Sequence, residues 1–136
     1  MAKLKLYFSC SVRGGRDDQN LYCELIDIFT QKYEVLTKHL GLKNLSEAEK
    51  KQSDEDIYLQ DKGYLEEADL LIAECSTPSI GVGYELAYAE KRGIPCIVLS
   101  DTRREKRLSA MISGDGYFKK IYYSSEEELR EIAEKL

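Results

Sequence analysis

Tryptophan is absent from this 136-residue chain, proline occurs twice, and histidine occurs once, at position 39. One histidine and four dispersed cysteines (Cys10, Cys23, Cys75 and Cys96), none in a C-x-x-C pair, leave no ligand set for a structural zinc. No apolar run approaches the roughly 20 residues that a membrane helix needs. The opening residues, MAKLKLYFSC, lack the long apolar stretch and small-residue cleavage site of a secretory leader. A net charge of -5 excludes a general binder of nucleic acid or of a membrane surface. Scattered cysteines of this kind read as reduced and partly buried, so a cytoplasmic protein is expected. There are no repeats, no low-complexity tracts and no linker, which predicts one domain over residues 1–136. That length buries a genuine core without disulfide staples.

What is present is a regular alternation of strand-like and helix-like segments. Residues 3–8 alternate lysine with apolar side chains and predict a first strand. Further strands are predicted at 34–37, 69–74, 94–100 and 119–123. Two of them, DLLIAE and IPCIVLS, have the near-continuous hydrophobicity of strands covered on both faces. The spacing of Leu21, Leu25, Ile28 and Phe29 predicts a helix over 17–32. Ser53 followed by Asp56 marks the start of a helix reaching Ala68. Other helices are expected at 84–92, ended by Gly93, at 108–112, and from Ser124 or Ser125 onward. Residues 41–53 read as a polar loop with some helix. The whole predicts a single-domain, doubly wound α/β fold: a mainly parallel five-stranded sheet, Rossmann- or flavodoxin-like, with helices on both faces. Ligands in such folds sit at the carboxyl ends of strands, so chemistry is expected in segments 9–16, 75–83 and 100–107.

Two carboxylates fall where apolar residues belong. Glu85 shares a helical stripe with Val82, Leu86 and Ala89, and is expected in the first turn after Gly81 and Gly83. Asp61 fills an apolar slot in the stripe Ile57, Tyr64, Leu65 and Ala68. A carboxylate on a buried helix face is costly unless paired or used. Two of them at strand ends suit glycosidic bond cleavage, one attacking the anomeric carbon and the other handling protons. The plainer alternatives are that Glu85 favours a helix N-terminus and that Asp61 bonds a neighbouring loop.

The loop SCSVRGGR after the first strand presents Ser11, Gly14, Gly15, Arg13 and Arg16. Glycines let backbone N–H groups approach an anion, and arginine grips phosphate as a fork, so an anion cradle is expected over a merely solvated turn. Cys10 and Arg16 also stand in the C-x5-R spacing of cysteine phosphatases, which would make Cys10 a thiolate nucleophile. Against this, Asp17 replaces the Ser or Thr expected after that arginine, and no Asp-Pro acid occurs. The partial pattern Gly81-Val82-Gly83 is a weak dinucleotide signal, because Leu86 stands where a third glycine belongs.

Taken together, several segments resemble the nucleoside 2-deoxyribosyltransferase superfamily, and most of all its hydrolytic, nucleotide-using branch. They are Tyr7-Phe8 with Ser11-Val12-Arg13-Gly14-Gly15-Arg16, Gln60-Asp61, Ala68-Asp69, the run PSIGVGYEL ending at Leu86, and Leu108-Ser109-Ala110-Met111-Ile112. The resemblance implies an N-glycosidase that cleaves a 2'-deoxynucleoside 5'-monophosphate to free base and sugar phosphate, needing neither metal nor cofactor. A base-exchanging transferase and a ribonucleotide (CMP-type) glycosidase are the alternatives within it. Glu85 is implied as the nucleophile, Asp61 as the carboxylate assisting the departing base or hydrolysis, and Tyr7 as the hydroxyl beside both sugar and nucleophile. The backbone of 12–15 with Arg13, together with Ser79 and Gly81, is implied to hold the 5'-phosphate. His39 is implied at the base end. Ser109, in the same motif as Met111, is implied to reach a neighbouring subunit's site, hence a homodimer. Cys10 departs from the pattern, which has glycine there, and its side chain is expected to crowd the cradle. The chain end, EIAEKL, offers no Asn of the kind transferases use to grip a 5'-hydroxyl.

Overall fold

The computed structural model describes residues 2–12, 19–41, 45–104 and 107–136, the side chains of 46 and 48 aside. Five strands, β1 (Lys5–Ser9), β2 (Glu34–Val35), β3 (Leu70–Glu74), β4 (Cys96–Asp101) and β5 (Lys119–Tyr123), form one sheet in the order β2-β1-β3-β4-β5. Every pairing is parallel. The helices are α1 (Gln19–Thr30), α2 (Leu45–Lys50), α3 (Asp54–Glu67), α4 (Ile80–Arg92), α5 (Ala110–Ser113) and α6 (Glu126–Lys135), with a 3-10 turn at Lys38–Gly41.

Period-two alternation divides β1 between two cores. Leu6, Phe8 and Cys10 pack with α1 and α6 through Leu25, Phe29, Leu129 and Ala133. Tyr7 turns to the other face, where Leu71, Ala73 and Val98 meet Leu65 of α3 and Val82, Leu86 and Ala89 of α4. Both faces are therefore covered, as the alternating pattern predicts, and the apolar stripe anticipated for α4 is the buried one.

Several boundaries move, with consequences for chemistry. Strand β1 extends to Ser9, because its backbone continues to pair with β3 as far as Ala73. Ser9 is thus a strand residue and not the first residue of the loop. Helix α4 begins at Ile80, because Ser79 accepts a hydrogen bond from the Val82 N–H at 3.3 Å and caps it. Gly81, Val82 and Gly83 are consequently helical, and the loop over 76–83 is shorter than expected. Glu85 lies in the second turn, beyond the first-turn backbone N–H groups that were expected to hold its charge. Helix α5 starts one residue after its cap, Ser109. Ser53 and Asp56 form the anticipated capping box on α3.

Candidate active site

A cleft of about 840 Å³ opens at the carboxyl edge of the sheet. Tyr7, Glu85 and Asp61 all line it, although they lie on β1, α4 and α3. Tyr7 and Ser9 are two residues apart on β1, so both side chains leave the sheet on the α4 face. Each hydroxyl donates to the Glu85 carboxylate: Tyr7 to Oε2, and Ser9 to Oε1 at 3.0 Å. Tyr7 and Ser9 are each 1% exposed, so these donors are fixed by the core.

Burial pushes the Glu85 carboxyl up to about 8. The two hydroxyl donors act in the opposite sense, since they stabilise the anion. The Asp61 carboxyl is pushed up to about 6, first by burial and then by the negative charge of Glu49, which also lines the cleft. Both carboxyls are thus displaced toward neutrality, and at pH 7 the pairing of an anionic Glu85 with a protonated Asp61 is a minority form of the cleft, favoured at Glu85 by its two hydroxyl donors.

The remaining expected residues divide into four groups. Cys10, Val12, Ser79, Gly81 and Ser109 line the cleft. Ser109 does so in its own chain, whereas the resemblance had it serving a neighbouring subunit. Ser11 is fully buried, and its Oγ has no hydrogen-bond partner among the described residues. His39 and Met111 are not among the lining residues. His39 is half-buried beside the Tyr64 ring, 6.2 Å between centroids, and burial lowers its pKa. Met111 is 82% exposed. Arg13, Gly14, Gly15 and Arg16 lie outside the described residues, so the geometry of the C-x5-R alternative does too. All four cysteines are free thiols. Burial, with a lesser contribution from Glu74, pushes the Cys75 thiol up to about 12, so it is no nucleophile at neutral pH.

Sequence reasoning missed Ser9, Glu49 and Arg107. The signal for Ser9 was its place two residues after Tyr7, which is informative once the strand is known to reach it. Arg107 closes a strand-end segment where chemistry was expected but was not singled out within it, and Glu49 sits in a polar stretch with no periodic pattern to set it apart from solvated charges. Among the described residues no group of three His, Cys, Asp or Glu side chains could hold a metal ion. No helix there is long and apolar enough to cross a membrane.

Residues 6–128 match the family model of nucleoside 2-deoxyribosyltransferase. A Rattus norvegicus protein named 5-hydroxymethyl-dUMP N-hydrolase is 40% identical over 116 residues, 83% of this chain and 71% of its own. A Syntrophotalea carbinolica protein, provisionally named 2'-deoxynucleoside 5'-phosphate N-hydrolase 1, is 38% identical over 126 residues, 93% of this chain and 89% of its own. Among solved structures, the Clostridium botulinum CMP N-glycosidase BcmB superposes with a TM-score of 0.68 at 20% identity, over 94% of this chain and 96% of that one. The 2-deoxyribosyltransferase of Bacillus psychrosaccharolyticus gives 0.56 at 14% identity, over 93% and 90%. At such identities the two structures share the fold with this chain.

Proposed function

Because this chain belongs to the nucleoside 2-deoxyribosyltransferase family, we propose that it is an N-glycosidase hydrolysing 2'-deoxynucleoside 5'-monophosphates to free base and 2-deoxyribose 5-phosphate. The names of the rat and Syntrophotalea relatives support this reaction. The observation that carries it is the Glu85 carboxylate, half-buried on the cleft and held on both oxygens by Tyr7 and Ser9.

The chemistry follows from that arrangement. Glu85 attacks the anomeric carbon as the C–N bond breaks, through a transition state with oxocarbenium character. The electron pair of the broken bond goes to the base nitrogen, and Asp61 delivers a proton to the departing base. A glycosyl ester on Glu85 results. Water then attacks the same carbon, Asp61 accepts its proton, and the Glu85 carboxylate is released. Tyr7 and Ser9 fix the carboxylate's orientation, so little reorganisation is needed at the moment of attack. A 2'-hydroxyl withdraws electrons from the cationic carbon, which favours 2'-deoxy substrates. The 5'-phosphate docks against the loop after β1, with Ser79 and Gly81. Remote binding of this kind orients the sugar for reaction. The enzyme is a homodimer in this reading, with Ser109 contributed to the phosphate end of the neighbouring subunit's site.

Incubation with each of the four deoxynucleoside monophosphates, followed by chromatography, tests the proposal. The expected products are free base and 2-deoxyribose 5-phosphate in equal amounts, and Glu85→Ala lowers the rate by at least about a thousandfold. Release of inorganic phosphate, or full activity in Glu85→Ala, refutes it. Adding a second free base distinguishes transfer from hydrolysis, since a transferase makes a new nucleotide.

A further inference from the structure

We infer that Arg107 grips the substrate's 5'-phosphate and sets the preference for nucleotides over nucleosides; the inference rests on the reaction proposed above. Its starting point is the charge balance of the cleft. Glu49, Asp61 and Glu85 all line it, so a phosphate dianion entering the same space meets up to three negative charges. Among the described residues Arg107 is the one basic side chain on the lining.

The neighbouring arginines are already committed. Arg103 closes a fork on the buried Asp101 carboxylate, Nε to Oδ1 at 3.0 Å and Nη2 to Oδ2 at 2.8 Å. Arg104 Nε lies 3.5 Å from the same carboxylate. Arg107 forms no ion pair with any described residue, is exposed, and faces the cleft. An arginine without a carboxylate partner, at the rim of an acidic cleft, is matched to an incoming phosphate by charge and by the geometry of its donors.

Its position in the fold also fits. The carboxylates Glu49 and Asp61, with Leu40, come from the β2–β1 side: Leu40 follows β2, and α3 packs on β1. Arg107 and Ser109 come from the far side, on the segment leaving β4. The cleft therefore runs from an acidic end to a basic end across the edge of the sheet. Ser79, Ile80 and Gly81, at the start of α4, line it too. The Ile80 and Gly81 N–H groups lead that helix ahead of the Val82 N–H that Ser79 caps, and they add favourable donors for an anion beside Arg107.

A buried network holds the two segments together. Glu74, 0% exposed, accepts from the Ser76 N–H at 2.7 Å, the Ser76 Oγ at 3.0 Å and the Tyr123 hydroxyl at 2.7 Å. The Asp101 N–H in turn donates to Ser76 Oγ at 2.8 Å. Asp101 thereby ties the start of the Arg107 segment to the segment that leads into Ser79.

The test crosses the protein variant with the substrate's phosphate. Wild type, Arg107→Ala and Arg107→Lys are assayed on a deoxynucleoside 5'-monophosphate and on the matching unphosphorylated deoxynucleoside. The ratio of the two kcat/KM values falls roughly ten- to a hundredfold in Arg107→Ala, mainly through KM, and lysine recovers part of it. Calorimetric titration with inorganic phosphate gives binding to wild type that weakens by a similar factor in Arg107→Ala. An unchanged ratio with unchanged phosphate affinity overturns the inference, as does an equal fall on both substrates. Should wild type release no base from any nucleotide, the proposed reaction fails, and the phosphate titration alone decides the role of Arg107.

Discussion

At Glu85 two effects oppose each other. Burial favours the neutral acid, whereas the hydroxyls of Tyr7 and Ser9 favour the anion. Its folded pKa, about 8, lies above the ordinary 4.5, so between those values the folded state binds more protons than the unfolded chain. Stability attributable to this group therefore falls as pH rises from about 4.5 through 8. Glu85→Gln, which cannot ionise, is expected to raise the melting temperature at pH 8.5 by roughly 3–8 °C, for a gain of about 1–2 kcal/mol. The gain shrinks toward pH 5. A scan of thermal unfolding against pH reads this directly, and an advantage that grows toward low pH contradicts it. Catalysis has its own signature. The proposed reaction needs Glu85 anionic and Asp61 protonated, a minority pairing when they titrate near 8 and 6, so kcat/KM is highest between those values and falls below about pH 6 and above about pH 8. Asp61→Asn is expected to lose the alkaline limb and leave a single rise through about pH 8. Tyr7→Phe removes one donor to the anion and moves the limb that belongs to Glu85 to higher pH. Glu85 and Asp61 were legible because each breaks an apolar stripe. Ser9 was not, because its role depends on how far β1 keeps pairing with β3.

At the scale of elements, the site depends on where α4 begins and how the β3 end is held. The Ser79 cap was legible only as a serine in a loop, and its hydrogen bond to Val82 decides that both glycines are helical. At the other end Gly93 adopts φ 74°, the left-handed conformation that favours glycine, and stops the helix as its sequence position predicts. Gly93→Ala is expected to cost about 1 kcal/mol, seen in chemical denaturation, with kcat little changed because the residue is far along α4 from Glu85. The Glu74–Ser76–Tyr123 network is a larger contribution. Tyr123→Phe leaves a buried carboxylate with one donor fewer, and a loss of about 1–3 kcal/mol is expected. The hydrophobic run of β3 announced a buried strand but concealed this network, whose members lie 49 residues apart at the extreme.

For the whole molecule, the proposed homodimer is tested by mixing variants. If Ser109 completes a partner's site, Glu85→Ala and Ser109→Ala chains, each inactive alone, regain activity when mixed, because one of the two sites in a mixed dimer is then intact. If Ser109 serves its own cleft, which it lines in the single chain, mixing restores only the little that each retains. Sedimentation of the wild type at assay concentration supplies the assembly state against which that result is read.

Local pattern was sufficient for the layers of this protein. Period-two and helical spacings follow from backbone geometry, so alternating strands and helices, a parallel sheet and the edge at which a ligand binds could all be inferred without coordinates. It also marked Glu85 and Asp61, since a charge inside an apolar stripe is anomalous in one dimension. The resemblance had put the Tyr7 hydroxyl beside Glu85; packing alone added that of Ser9, set Glu49 near enough to raise the Asp61 pKa, and left Arg107 on the lining when its neighbours closed on Asp101. Those relations join residues from different strands and helices. Their energies depend on distance and burial in three dimensions, which no local spacing records.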